Sequence, residues 1–193
     1  MKRLFRTWPL ALIAALTLQV PVAAGEDPKG AREQVSLRQD GHVFIVKAKF
    51  DVPHATSVAT AVLTDYEQIS RFMPDVTKSV VVERGEGRAI VEQEAVARLM
   101  MFSKRVHLLL DVEHEEGLIR FRDRCGRSFT RYEGSWRIAT LHGRTAITYE
   151  LTAKPSFDVP GFILGRLLKR NAKKMIEDLR QEIARRNKTS NGL

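Results

Sequence analysis

The chain has 193 residues, of which 44% are hydrophobic and 28% charged, with a formal net charge of +9 and one cysteine. A single cysteine, Cys125, excludes an intramolecular disulfide, so the stability of the fold must come from packing. The length suits one domain with a hydrophobic core, because ordinary domains run to roughly 100–200 residues.

The amino terminus has the composition of an export signal. Three basic residues, Lys2, Arg3 and Arg6, precede an apolar run over residues 10–20, and small residues follow at positions 22–24. This order is typical of a secretory signal peptide. We therefore predict a signal peptide over residues 1–24 and a periplasmic or secreted mature chain. The alternative is an uncleaved segment that anchors the protein in the membrane, although a span takes roughly 20 apolar residues.

The next segments predict a lead-in, one strand and two short helices. Residues 25–40 are polar and contain glycines, which favours a flexible lead-in before a folded domain over residues 41–188. "HVFIVKAKFDV", residues 42–52, has Phe44, Val46, Ala48 and Phe50 on one parity, as expected of a half-buried strand. Apolar residues at helical spacing follow from Ala55 to Val62, and "DYEQISRFMP" adds a second helix that Asp65 is suited to cap and Pro74 ends.

The following eighty residues predict six antiparallel strands. Short turn sequences, "ERGEG", "EHEEG", "DRCGR" and "LHGR", separate segments in which apolar residues alternate with polar ones. In the last two segments the large side chains Tyr132, Trp136 and Tyr149 fall on the apolar parity. Successive strands joined by short turns form an antiparallel meander.

A long carboxy-terminal helix follows Pro160. Its apolar residues recur every three or four positions in one continuous stripe: Leu164, Leu168, Ala172, Met175, Leu179 and Ile183. Residues 160–188 carry nine basic and three acidic side chains, so this segment holds the excess positive charge of the mature chain. The sheet and the helix each have one apolar face, and the two faces must pack together.

Three stretches carry a resemblance to a known family: "DYEQISRFMPDVTKSVVVERGEG", "FTRYEGSWRIATLHGRTAITYELTAKPSFDVP" and the terminal helix. Over residues 40–187 the chain resembles the START-like (SRPBCC) superfamily, and most of all its coenzyme Q-binding and polyketide cyclase/dehydrase-like branch. The resemblance implies an α+β helix-grip fold, in which a curved antiparallel sheet wraps around the long carboxy-terminal helix and two short helices follow the first strand.

The resemblance also implies a hydrophobic cavity between the sheet and the terminal helix. We expect this cavity to bind or carry a quinone, an isoprenoid or another lipid, without a metal or other cofactor. Each lining residue taken alone is more typical of an ordinary core. The expected ligand-binding residues are Phe72, Met101, Leu108, Phe121, Tyr132, Trp136, Tyr149, Phe162, Leu168 and Met175.

Two other functions compete with a carrier. A cyclase or dehydratase acting on an aromatic polyketide-like substrate would need a polar group inside the cavity, and Asp123 is the one carboxylate whose parity allows it. An interaction module with a filled core is the third possibility. No histidine pair has metal-ligand spacing, and no phosphate-binding loop is present.

The basic face of the terminal helix suits an anionic membrane surface. We expect Lys169, Lys173 and Arg180 to make this contact. Nucleic acid is a poorer partner, because the charged face lacks interleaved aromatic residues.

Overall fold

The computed structural model of the protein describes residues 33–99 and 102–191. Eight antiparallel strands form one curved sheet in the order β1-β2-β8-β7-β6-β5-β4-β3. The strands are β1 (Gln34–Asp40), β2 (Val43–Val52), β3 (Val76–Gly85), β4 (Arg88–Leu99), β5 (Phe102–Glu115), β6 (Leu118–Asp123), β7 (Phe129–Leu141) and β8 (Arg144–Pro155). The helices are α1 (Thr56–Thr64), α2 (Ile69–Phe72) and α3 (Gly161–Asn191), with a 3-10 turn at Tyr66–Gln68. The helix-grip architecture expected from the sequence is thereby confirmed.

One face of the sheet holds the core. Strand β2 directs Phe44, Val46, Ala48 and Phe50 to this inner face, where each is almost fully buried. The alternation along the strand produces this arrangement, because successive side chains of a strand point to opposite faces. The six strands that follow the short helices extend the same apolar surface, as their sequences predict.

Strand β1 corrects the expected flexible lead-in. Residues 34–40 pair with β2 along their whole length, from Gln34 opposite Lys49 to Asp40 opposite Val43. Only Val35 and Leu37 of this strand pack against the core. The other residues are polar because β1 is an edge strand, and for this reason the sequence does not predict it. The two short helices therefore follow the second strand of the sheet.

The short helices close one end of the curved sheet. Helix α1 buries Ala59, Val62 and Leu63, at the helical spacing seen in the sequence. Asp65 stands before the 3-10 turn but makes no capping hydrogen bond. Its carboxylate instead pairs with Arg186 of α3 at 2.9 Å, which ties the short helices to the terminal helix.

Helix α3 lies along the inner face of the sheet and supplies the other half of the core. Ile176, Leu179 and Ile183 are at most 1% exposed, and burying each such side chain contributes roughly 1.5–3 kcal/mol. Gly165 lets the helix approach β1 closely, because a Cβ placed there would lie 2.9 Å from Leu37.

None of the helices in the described ranges is long and apolar enough to cross a membrane. The expected signal peptide, residues 1–24, and the start of the lead-in lie outside the described residues.

Candidate ligand cavity

Two adjoining apolar chambers lie between the sheet and α3. The first chamber is bounded by β4, β5 and the amino-terminal half of α3, including Ala97, Val106, Leu164 and Leu168. The second chamber lies beneath the short helices, and Leu63, Phe72, Phe121 and Trp136 contribute to its wall. Their shared wall is formed by Met73, Val76, Gln93, Tyr132, Tyr149 and Met175.

The chambers have volumes of about 200 Å³ and about 180 Å³. Pockets for small molecules usually measure roughly 300–1,000 Å³. Each chamber alone is below that range and the two together just reach it. A ligand of ordinary size would therefore have to occupy both.

Five aromatic rings form a continuous wall along the chambers. Phe129 and Tyr132 are 4.9 Å apart between ring centroids, and Trp136 and Tyr149 are 4.4 Å apart. Phe121 joins these two pairs, at 6.0 Å from Tyr132 and 6.2 Å from Tyr149. Such spacings are those of favourable aromatic pairs. The rings on the inner face of β7 and β8 thus pack on one another and still border open space.

The two tyrosines at the junction place hydroxyl groups in this apolar wall. Burial raises the pKa of Tyr132 to about 12. Burial also raises the pKa of Tyr149 well above its ordinary value. The hydrogen bond between them lowers the pKa of Tyr132 and raises that of Tyr149. Both phenols are neutral at physiological pH.

A second polar pair lies at the far end of the second chamber. Tyr66 forms part of that chamber's wall, and its hydroxyl lies 2.5 Å from Nε2 of His114. Burial lowers the pKa of His114, and the nearby Arg84 guanidinium lowers it further. Burial raises the pKa of Tyr66, so the pair is a neutral phenol donating to a neutral imidazole.

The structure brings eight of the ten expected ligand-binding residues to the chambers. Leu108 and Leu168 line the first, while Phe72, Phe121 and Trp136 line the second. Tyr132, Tyr149 and Met175 line both. Met101 lies outside the described residues.

Phe162 is a correction, because its side chain is 72% exposed and borders neither chamber. Two residues along a helix correspond to a rotation of about 200°, so Phe162 lies almost opposite the buried Leu164. The side chain therefore belongs to the outer face of α3.

Several polar residues of the cavity are absent from the sequence-based expectation. Gln93 interrupts the apolar parity of β4 and lies at the junction, where its side chain donates to Ser79 Oγ at 3.2 Å. Asp75, Lys104, Asn171 and Lys174 border the first chamber. The sequence does contain a signal for Gln93, because this polar residue stands at a position of β4 where its parity directs the side chain inward.

Asp123 has a structural role that its parity alone does not predict. Its Oδ1 accepts from the backbone N–H of Leu109 at 2.8 Å, and its Oδ2 accepts from that of Gly126 at 3.0 Å. The carboxylate thus holds the loop between β6 and β7 and lines neither chamber. Glu133 and Glu150 lie on the outer face of the sheet, as their parity predicts.

The one group of possible metal ligands among the described residues is Glu92, Glu94 and His107, whose ligand atoms lie within 4.8 Å of one another. These side chains alternate with the inward-facing Val91, Gln93 and Leu108, so they lie on the outer face of the sheet. Lys78 forms an ion pair with Glu92 at 2.5 Å and competes for its carboxylate. The group takes no part in the cavity.

The basic face of α3 divides into two parts. Lys169 and Lys173 are exposed, as expected for a contact surface. Arg180 is only partly exposed: its guanidinium pairs with Glu33 at 3.5 Å and lies 5.4 Å from the ring centroid of Phe50, and its expected membrane contact stays a prediction. Within the described ranges, Arg166, Lys169, Arg170 and Lys173 are exposed and take part in no ion pair.

Residues 52–180 match the family model described as polyketide cyclase / dehydrase and lipid transport. No curated protein matches the chain.

Solved structures share the fold at low sequence identity. A START superfamily protein from Mycobacterium smegmatis is 18% identical, with a TM-score of 0.64 over 73% of this chain and 97% of that one. Zhui aromatase/cyclase from Streptomyces sp. R1128 is 17% identical, with a TM-score of 0.64 over 75% and 96% of the two chains. A STAR-related lipid transfer protein from Xanthomonas axonopodis is 16% identical, with a TM-score of 0.61 over 78% and 98%.

Proposed function

Since the chain belongs to the polyketide cyclase/dehydrase and lipid transport family of START-like proteins, we propose that it binds and carries a hydrophobic small molecule in the two chambers. The observation that carries the proposal is the apolar space between the sheet and α3, where a well-packed domain would have side chains. A quinone, an isoprenoid or another lipid has the required chemistry.

The energetics of such a ligand favour reversible binding. Burying about twelve methylene groups contributes on the order of 10 kcal/mol. Association costs roughly 4–15 kcal/mol. The balance gives weak to micromolar affinity, which suits a carrier that must release its cargo.

Native mass spectrometry of protein purified from its own membrane-containing extract tests the proposal. We expect a bound small molecule at a stoichiometry near one, which organic extraction then identifies as a quinone, an isoprenoid or a lipid. A protein without bound molecules that also takes up no member of a panel of quinones, fatty acids and phospholipids would refute the carrier function.

The outer face of α3 supports a second part of the proposal, docking on an anionic membrane. Phe162, Arg166, Lys169, Arg170 and Lys173 recur at the spacing of one helix face, with no acidic residue between positions 162 and 173. In the described part of the chain none of these four cations forms an ion pair. Each basic side chain near an anionic surface contributes about 1 kcal/mol, and the exposed Phe162 ring would insert among the headgroups.

Vesicle co-sedimentation tests the docking surface with a matched pair of variants. The Lys169→Glu/Lys173→Glu protein should lose more than tenfold in affinity for anionic vesicles at low salt. Arg38→Glu/Lys49→Glu makes the same change in charge at exposed positions of β1 and β2 and should bind better than that variant. Equal losses in the two variants, or equal binding of the unaltered protein to neutral and anionic vesicles, would contradict docking through α3.

A cyclase or dehydratase is the second candidate, and the Tyr66–His114 pair favours it. A phenol in the cavity wall with an imidazole behind it is suited to move a proton at a carbon next to a carbonyl. Incubation with a linear poly-β-ketone substrate tests this activity by mass spectrometry. Cyclised product that disappears in Tyr66→Phe would support the enzyme, and no product from the unaltered protein would exclude it for that substrate.

We also infer that residues 1–24 direct export, which places the carrier in the periplasm or outside the cell. The charged, apolar and small-residue order of this segment supports the inference. Mass spectrometry of protein recovered from the periplasm should show an amino terminus at Gly25. An intact segment in the membrane fraction would indicate the uncleaved anchor instead.

A further inference from the structure

We propose that the Tyr132 hydroxyl is the polar recognition point of the cavity, where it donates a hydrogen bond to a neutral carbonyl oxygen of the bound molecule. This inference rests on the proposed binding function and goes beyond it, because it names the chemical group that the ligand must carry. Tyr132 borders both chambers, so a ligand that fills them passes this hydroxyl.

The tyrosine pair at the junction leaves one hydroxyl proton without an acceptor. The two hydroxyls interact with each other, and one hydrogen bond between two hydroxyls uses only one of their two protons. Within residues 33–99 and 102–191 neither hydroxyl has another partner, and Tyr132 is the more accessible of the two, because Tyr149 is only 6% exposed. A donor in an apolar site without an acceptor is costly, and a ligand oxygen would remove that cost.

The surroundings favour a neutral acceptor over a carboxylate. The burial that raises the pKa of both tyrosines penalises any negative charge at this point. The charge of Asp123 also raises the pKa of Tyr132, so an anion beside this hydroxyl would be repelled. A ketone, a quinone or an ester carbonyl accepts the hydrogen bond without bringing charge.

Gln93 is the other polar group at the junction and is less available than Tyr132. Its amide already donates to Ser79 Oγ, and its position on β4 is held by that contact. The phenol is therefore the better candidate for selecting the ligand.

Three rigid probes of similar shape test the proposal by equilibrium dialysis against the full chain. Fluorene has no oxygen, 9-fluorenone adds one carbonyl oxygen, and fluorene-9-carboxylate adds a charge. We expect fluorenone to bind roughly three- to tenfold more tightly than fluorene, which corresponds to one net hydrogen bond. The carboxylate should bind more weakly than fluorenone.

Two conservative variants locate the donor. Tyr132→Phe should abolish the preference for fluorenone, so that this variant binds fluorene and fluorenone with affinities within about twofold of each other. Tyr149→Phe should keep most of the preference, because the Tyr132 proton remains. Urea unfolding of each variant confirms that the fold is intact, and a preference that vanishes in a folded Tyr132→Phe protein supports the assignment.

The outcomes separate this inference from the proposed function. If fluorene and fluorenone bind equally well, the cavity binds hydrophobic molecules but the recognition point is wrong. A preference that persists in Tyr132→Phe, or tightest binding of the carboxylate, likewise overturns the assignment. If none of the three probes binds, the binding function and the recognition point fail together.

Discussion

At the scale of single residues, Gly134 shows why the aromatic wall tolerates no side chain at one position. Gly134 pairs with Phe121 across β6 and β7. A Cβ added there would lie 2.6 Å from Cζ of Phe121 and 2.1 Å from the carbonyl oxygen of Glu150. The second contact is with backbone, which cannot rotate away. The glycine therefore makes room for the Phe121 ring between Tyr132 and Tyr149.

We predict that Gly134→Ala lowers the free energy of unfolding by about 1–3 kcal/mol, the usual cost of overpacking. Urea denaturation measures the change. Gly85→Ala is the matched control, because the nearest atom to its added Cβ is 3.9 Å away. Similar stabilities for the two variants would show that the strands at Gly134 separate easily.

The Tyr66–His114 pair predicts a dependence of stability on pH. Burial holds the pKa of His114 below that of an exposed imidazole, so on acidification the unfolded chain takes up this proton first. The contribution of neutral His114 is complete above the unfolded pKa of about 6.5, and it is lost as the pH falls below that value.

We therefore expect His114→Gln to lose less stability than the unaltered protein when the pH falls from about 7.5 to about 5. Urea unfolding at the two pH values measures the difference. His42→Gln alters a histidine in an exposed turn and should leave the original dependence intact. The same acid-induced loss in His114→Gln would mean that another group is responsible.

At the scale of elements, the contact between α3 and β1 depends on a small residue. Gly165 is buried in α3, and a Cβ added at this residue would lie 2.9 Å from Cδ2 of Leu37. Alanine in place of glycine favours a helix by about 1 kcal/mol. The contact with the flexible end of Leu37 opposes that gain.

A double-mutant cycle should reveal this opposition. Gly165→Ala alone should leave the free energy of unfolding nearly unchanged, whereas in a Leu37→Ala background it should stabilise the protein by about 1 kcal/mol. Thermal or urea unfolding of the four proteins gives the interaction energy. Additive effects would indicate that Leu37 moves aside without cost.

The elements also differ in how clearly the sequence predicts them. Strand β2 is evident because Phe44, Val46, Ala48 and Phe50 share one parity and, from Lys47 on, alternate with charged residues. Strand β1 is not evident, since only Val35 and Leu37 are apolar on its inner face and its pairing with β2 and α3 stabilises it. Phe162 was misplaced for a different reason, because the helical rotation from Leu164 already placed it on the outer face.

At the scale of the whole molecule, the candidate site contains residues that the alternation along single strands predicts and contacts between distant residues that it does not predict. Parity along β7 and β8 directs Tyr132, Trp136 and Tyr149 inward, and this was predictable. The pairing of Tyr66 with His114 joins residues 48 positions apart and depends on how the short helices lie over the sheet. Asp123 has the parity of Phe121, yet its carboxylate does not face the cavity, because it accepts hydrogen bonds from the backbone N–H groups of Leu109 and Gly126.

The two chambers imply that the fold gives up packing in order to bind a ligand, and a cavity-filling variant tests this balance. Ala172 lies on α3 in the wall of the first chamber and is 5% exposed. Leucine at this position adds three carbons, each worth about 0.8 kcal/mol when buried. We expect Ala172→Leu to raise the free energy of unfolding of the ligand-free protein by about 1–2 kcal/mol and to weaken the binding of fluorenone more than tenfold.

Ala184→Leu provides the control for this variant, because Ala184 lies on the same helix but borders neither chamber. It should leave fluorenone binding unchanged. Urea unfolding and equilibrium dialysis on both variants separate stability from binding.

A folded Ala172→Leu protein that binds fluorenone as tightly as the unaltered chain would place the ligand elsewhere. Lower stability with weakened binding would mean that the chamber accepts a leucine side chain only with strain. Higher stability with lost binding is the result expected of a domain whose core is left open for its ligand.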